Sequence, residues 1–196
     1  MEIKPLLKKL WWFIWEDNSI WSWIVNLILA FILIKFIVYP GLGYLLGTGF
    51  PVVAVVSGSM EHDGNFDEWW QSEAYYSRVC TQEQWYAEYG ITKEQFKEFS
   101  FKYGFNKGDI MVLKGIEPKN IKTGDVIVFD SNGEPIIHRV VKIEDTIQTK
   151  GDHNADSGAM DMNIQQQAVI GKAIFKIPLL GWIKIGFVEL ISIFVG

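Results

Sequence analysis

Apolar positions along this chain fall into two unlike regimes. From Ser19 to Tyr39 they run almost unbroken (SIWSWIVNLILAFILIKFIVY), with Asn26 and Lys35 the only strongly polar interruptions. A helix of that length extends roughly 31 Å, about the hydrocarbon thickness of a bilayer. Lys35 stands one turn from the far end, where its stem can snorkel to the interface. Trp21 and Trp23 at one boundary and Tyr39 at the other form an aromatic belt. Pro40-Gly41 predicts the helix stop. The run is too long for a cleaved secretory signal, and no small-residue cleavage site follows it.

Ahead of the span, residues 1–18 carry Lys4, Lys8 and Lys9 with Trp11, Trp12 and Trp15, a pattern that predicts a short amphipathic helix on the membrane surface. Three lysines before the span, with none close after it, place the N-terminus in the cytoplasm and the following body outside. At the other end, residues 178–196 are again apolar, but Lys184 and Glu189 would fall near the middle of a second span. An interfacial segment suits those charges better.

Between these ends, residues 49–177 predict a mainly β domain. PVVAVV (51–56) is a short β-branched run that ends at Ser57-Gly58. Gly108-Asp109 and Gly124-Asp125 each launch an apolar strand, two copies of one pattern. Asn132-Gly133 marks a hairpin turn into the returning strand PIIHRVVKI (135–143). Ile147 to Lys150 and Ala168 to Phe175 read as further strands. Short strands joined by tight turns argue for a coiled β-barrel or sandwich. Residues 61–106 interrupt the pattern: Thr81 with Gln84 and Thr92 with Gln95 are capping boxes, predicting two short helices. This insert holds nine acids, four bases and thirteen aromatics. It reads either as a helical cap packed on the barrel or as a docking surface.

Composition narrows the chemistry. A net charge of −5 supplies no basic stripe, so no nucleic-acid partner is expected. Cys80 is the single cysteine, which excludes an intramolecular disulfide and a thiolate metal cluster. His62, His138 and His153 show no metal-ligand spacing, and neither metal nor cofactor is expected. Ser59 directly follows an apolar strand and a Gly-containing turn, a setting that can fix a hydroxyl and its own N–H toward a carbonyl. By itself Ser57-Gly58-Ser59 is an ordinary turn. His138 shares a strand face with Ile136 and Val140, which points it inward, away from the side of Arg139. Asp152 and Asp156 lie in a polar loop, where they can cap turns or orient an imidazole.

Taken in order, the apolar span, Val56-Ser57-Gly58-Ser59-Met60-Glu61, Gly108-Asp109, Gly124-Asp125-Val126-Ile127-Val128-Phe129, His138-Arg139-Val140-Val141 and Thr149-Lys150-Gly151-Asp152 resemble the type I signal peptidases, in their archaeal and endoplasmic-reticulum branch. The resemblance covers about residues 20 to 185, without the insert. It implies a membrane-bound serine endopeptidase that cleaves signal peptides after small residues. Ser59 would be the nucleophile and His138 the general base, standing where the bacterial branch has lysine. Ser57 would assist the oxyanion hole beside the Ser59 amide. Asp156 is the first choice for the orienting acid, with Asp152 and Asp161 in reserve. Val53, Val55 and Met60 are the expected substrate-binding residues. The implied partners are signal-peptide-bearing preproteins, the lipid bilayer and, as a further neighbour, the translocation channel; the implied place is the cell membrane. His62 departs from the family's usual proline. Two other readings stay open: an inactive membrane-anchored β-domain that binds a partner, and a dedicated pro-protein or pilin-type protease.

Overall fold

The computed structural model describes residues 3–183, 185 and 186, and falls into two compact units, Met1–Leu45 and Leu46–Gly196. Of the apolar C-terminal segment expected at 178–196, Lys184 and residues 187–196, Glu189 among them, lie outside the described residues.

In the first unit, helix α1 (Ile3–Trp15) is followed by α2 (Ile20–Leu33). Ser19 caps α2 by accepting the Ser22 N–H. Two polar side chains of α2 are satisfied by α1: Ser22 Oγ donates to Phe13 O (2.6 Å) and Asn26 Nδ2 to Ile14 O (2.9 Å). Pro40 does not stop the helix. A π-helical stretch, Ile34–Val38, precedes it, and helix resumes as α3 (Tyr39–Leu46). The wider turn, with Tyr39 N–H donating to Ile34 O, makes room for a residue that has no N–H and crowds the carbonyl four back. Ile20–Leu46 is thus 27 residues long, and by length and hydropathy it can cross a membrane.

The second unit is mainly β. Its six-stranded sheet has the order β1-β4-β8-β5-β6-β7 with every pairing antiparallel. The strands are β1 (Val52–Ala54), β4 (Ile110–Lys114), β5 (Val126–Ser131), β6 (Glu134–Ile143), β7 (Ile147–Lys150) and β8 (Val169–Ile177). A separate ribbon pairs β2 (Glu73–Tyr75) with β3 (Val79–Thr81). The two Gly-Asp turns are built alike. Gly108 and Gly124 both sit at φ +90°, and Asp109 and Asp125 each accept the backbone N–H three residues back. Asn132 and Gly133, both at positive φ, make the tight β5–β6 turn.

One core lies on each side of this sheet. Val55, Met60, Phe105, Met111, Leu113, Val126, Val128 and Ala173 form the first, and Ile121, Ile127, Phe129, Val140, Ile147 and Ile164 the second. The insert adds a third, in which Phe66, Trp69, Trp70, Trp85, Tyr86 and Phe96 are buried with Val141 of β6. It contains α4 (Phe66–Trp70), α5 (Gln82–Glu88) and α6 (Lys93–Glu98), each opened by a capping box. The insert therefore buries these aromatics against one another and on Val141 of β6, in the manner of the helical cap that was the first of the two readings above. Arg139 is fully buried beneath it, although strand alternation turns Arg139 away from the sheet's own interior. Alternation gives the face of a strand, and here the insert covers that face too.

Candidate active site

Strand β1 runs into the turn that carries Ser59. Val55 N–H donates to Asp109 O, and Gly108 N–H to Val55 O, so the strand's end is tied to the first Gly-Asp turn. Glu61 N–H then closes the turn on Gly58 O, while Glu61 Oε1 accepts the Lys107 N–H (2.9 Å). From the other side, His153 N–H donates to Ser59 O and Phe105 N–H to Met60 O. Gly151 closes the approach. A Cβ there would stand 2.7 Å from Ser59 O and 2.9 Å from His138 Nε2, too near for any side chain.

His138 reaches this turn from the middle of β6. Its Nε2 lies 3.0 Å from Ser59 Oγ, and its Nδ1 lies 2.5 Å from Asp161 Oδ1. Asp161 also accepts from Thr149 Oγ1 and, through Oδ2, from the Gly158 N–H at 3.0 Å. An ionised carboxylate only accepts, so Nδ1 carries the proton toward Asp161; in the neutral ring Nε2 is then bare and accepts from the Ser59 hydroxyl. Burial would raise the Asp161 carboxyl. The bonds from His138, Thr149 and Gly158 outweigh it and hold the carboxyl below its ordinary value. Ser57 Oγ stands 3.2 Å from Ser59 Oγ at the exposed side of the turn. A hydroxyl, an imidazole and a carboxylate in this order can pass one proton from oxygen to nitrogen and steady the imidazolium that results.

The three aspartates occupy three distinct places. Asp156, the first choice from sequence, is not beside the ring: its Oδ1 accepts from Trp85 Nε1 (2.9 Å) and from the Ser157 N–H. The insert supplies that indole, which ties Asp156 down away from His138. Asp152 is buried in a different network, receiving Arg139 Nε (2.9 Å) and Nη2 (2.7 Å), Tyr86 OH (3.2 Å) and His62 Nε2 (3.0 Å). Burial alone would raise its carboxyl, but Arg139 and His62 overcome this and hold it well below the usual carboxylate range. The reserve residue Asp161 is the one that meets the imidazole. It sits on a short 3₁₀ turn, Ala159–Asp161, a local shape that the surrounding residues do not announce.

Of the expected substrate-contacting residues, Val55 and Met60 are 3% and 0% exposed and belong to the core. Their apolar side chains anchor the turn from below. Val53 is only partly buried at the margin of the same core and remains accessible. The three histidines each face a different carboxylate: His62 meets Asp152, His138 meets Asp161, and His153 Nδ1 lies 3.6 Å from Asp63. Sequence reasoning missed His62, whose partners come from the insert and from the loop after β7. Its departure from the family's proline was the available signal.

The Peptidase S24-like family matches residues 95–174, a stretch that contains His138 and all three aspartates but not Ser59. The signal peptidase complex catalytic subunit SEC11C of Homo sapiens is 25% identical over 161 residues, covering 76% of this chain and 62% of that protein; the Canis lupus familiaris protein matches equally. The signal peptidase complex catalytic subunit SEC11 of Plasmodium falciparum is 29% identical over 99 residues, covering 44% of this chain and 53% of that protein. The chain thus spans under two thirds of the length of these relatives. The matches bear out the resemblance to the endoplasmic-reticulum branch of the type I signal peptidases.

Proposed function

We propose that this chain is a membrane-bound serine endopeptidase that removes N-terminal signal peptides after small residues, with Ser59 as nucleophile, His138 as general base and Asp161 as the orienting acid. The observation that carries the reading is the continuous chain of contacts from Ser59 Oγ through the His138 ring to Asp161. The similarity to signal peptidase catalytic subunits supplies the substrate class.

The reaction follows from the bond order. His138 Nε2 takes the Ser59 proton as Oγ attacks the scissile carbonyl, and Asp161 stabilises the imidazolium. The Ser59 N–H and the Ser57 hydroxyl receive the oxyanion. The imidazolium then protonates the leaving amine, and water, deprotonated by the same ring, releases the signal peptide from Ser59. Among the described residues β1 pairs only with β4, which leaves its other edge to add an extended substrate as a further strand. Val53 borders that edge, where a shallow wall would admit Ala-like side chains and reject larger ones.

A span formed by Ile20–Leu46 would hold enzyme and signal peptide in one bilayer, raising their effective concentration. In this reading the N-terminus is cytoplasmic, the body from residue 49 is extracytoplasmic, and the translocation channel is a neighbour. Co-expression of the whole chain with a secretory precursor tests the function. Processed product should accumulate with the unaltered chain and not with Ser59→Ala. Equal processing by both would overturn the proposal.

A further inference from the structure

Behind the Ser59 turn lies a second histidine–aspartate pair that the proposed reaction does not use. His62 is buried, with its ring stacked on Trp69 at 3.6 Å between centroids and 6° between planes. Its Nε2 lies 3.0 Å from Asp152 Oδ2, while Nδ1 has no partner among the described residues. Trp69 in turn donates Nε1–H to the Asp152 backbone carbonyl (3.0 Å). Gly104 gives the ring its room, since a Cβ there would collide with Met60 O and the imidazole.

Both ends of this pair are neighbours of the reacting serine. His62 lies three residues after Ser59. Asp152 is flanked by Gly151, against which Ser59 O and His138 Nε2 pack, and by His153, whose N–H holds Ser59 O. Asp152 N–H also reaches Met60 Sδ (3.4 Å). The His62–Asp152 contact therefore staples the turn that carries Ser59 to the loop lying across it. The stack on Trp69 makes the insert one wall of that staple. A ring needed only for packing would be served as well by phenylalanine, which leaves no bare nitrogen in the interior.

We infer that His62 is a positioning residue for Ser59, acting through its hydrogen bond to Asp152. This rests on the reading of Ser59 as nucleophile. A misplacement of about 1 Å at such a turn is worth on the order of 100-fold in rate. In His62→Gln the side-chain amide nitrogen can take the place of Nε2, whereas His62→Phe keeps the stack and loses the bond.

The test uses the whole chain in detergent with a secretory precursor, and measures kcat, KM and thermal midpoint for both variants. A positioning role predicts that His62→Phe loses about 10- to 100-fold in kcat with KM little changed, and that His62→Gln recovers most of it. The His153 amide, bonded to Ser59 O, should also exchange faster with solvent in His62→Phe, a readout independent of activity. Wild-type kcat and unchanged amide exchange in His62→Phe would overturn the inference. So would His62→Gln being the poorer enzyme, which marks a packing role. Should His62→Phe not fold, His62→Gln against His62→Ala gives the same contrast. Ser59→Ala is measured alongside: if it stays active, the reading of the site fails and the inference with it; if it is inactive while His62→Phe is unimpaired, the inference alone fails.

Discussion

Substituting Asp152 with Asn removes the carboxylate charge paired with Arg139 and leaves the side chain's shape almost unchanged. All five guanidinium N–H groups are used: Nε and one Nη2 hydrogen on Asp152, the other Nη2 hydrogen on Phe101 O, and the Nη1 pair on Ser100 O and Gly124 O. The Arg139 guanidinium also lies over Phe96 at 4.6 Å, and neither ion is exposed. Two unit charges about 4 Å apart interact by about 4 kcal/mol at an effective dielectric of about 20. Breaking one side of a buried pair costs about 3–5 kcal/mol, the same range reached independently. Asn would also turn an amide N–H toward the guanidinium, which drives the loss to the upper part of that range.

At about 2–4 °C per kcal/mol for a chain of this size, Asp152→Asn should lower the unfolding midpoint by about 6–20 °C. Tryptophan fluorescence during heating of the detergent-solubilised chain reads it, at matched scan rates so that any irreversible unfolding affects both chains alike. The double substitution Arg139→Met with Asp152→Leu should lose less than the two singles together, since no ion is then stranded. A midpoint for Asp152→Asn within about 2 °C of wild type, or strict additivity in the double variant, would refute this account of the buried network.

Asp161→Asn should reduce precursor cleavage by on the order of 10⁴-fold by favouring the wrong His138 tautomer, while Asp156→Asn should stay near wild type; steady-state kinetics on both decides which acid serves the ring. Ser57→Ala should lower kcat by about 100- to 1,000-fold with little change in KM, the signature of a lost oxyanion donor. Burial pushes the Lys150 amine down to about 7, against the pull of Asp152, Asp156 and Asp161. The folded chain then binds fewer protons at Lys150 than the unfolded chain between about pH 7 and pH 10.4, so this residue makes stability rise with pH across that window. Unfolding midpoints at several pH values should show the slope in the wild type and lose it in Lys150→Met.

Elements governed by local chemistry were legible from the residues. The β-branched runs gave the strands, the two Gly-Asp turns repeat because Gly supplies positive φ and Asp closes the turn, and Thr81 and Thr92 cap helices where their spacing to Gln84 and Gln95 requires. Motif order singled out Ser59 and His138, 79 residues apart, and they stand within hydrogen-bond reach. The orienting acid was harder to read. Asp156 and Asp161 lie in one polar loop, and only the pull of Trp85 on Asp156 and the 3₁₀ turn under Asp161 separate them. The burial of Arg139 escaped because the insert covers a strand face that alternation alone assigns to solvent, and the network joining it to Asp152 and His62 escaped with it. Pro40 misled because a π-helical turn upstream absorbs its missing donor.

Ser59 and His138 act as one unit if a single proton moves between them, and the most direct measurement is the cleavage rate of Ser59→Ala, His138→Ala and the double variant on one precursor. Residues that work as a unit are strongly non-additive. All three variants should fall to the same floor, with folded yield and thermal midpoint retained. Losses that multiply in the double variant, or conversion by either single at the wild-type rate, would contradict the account.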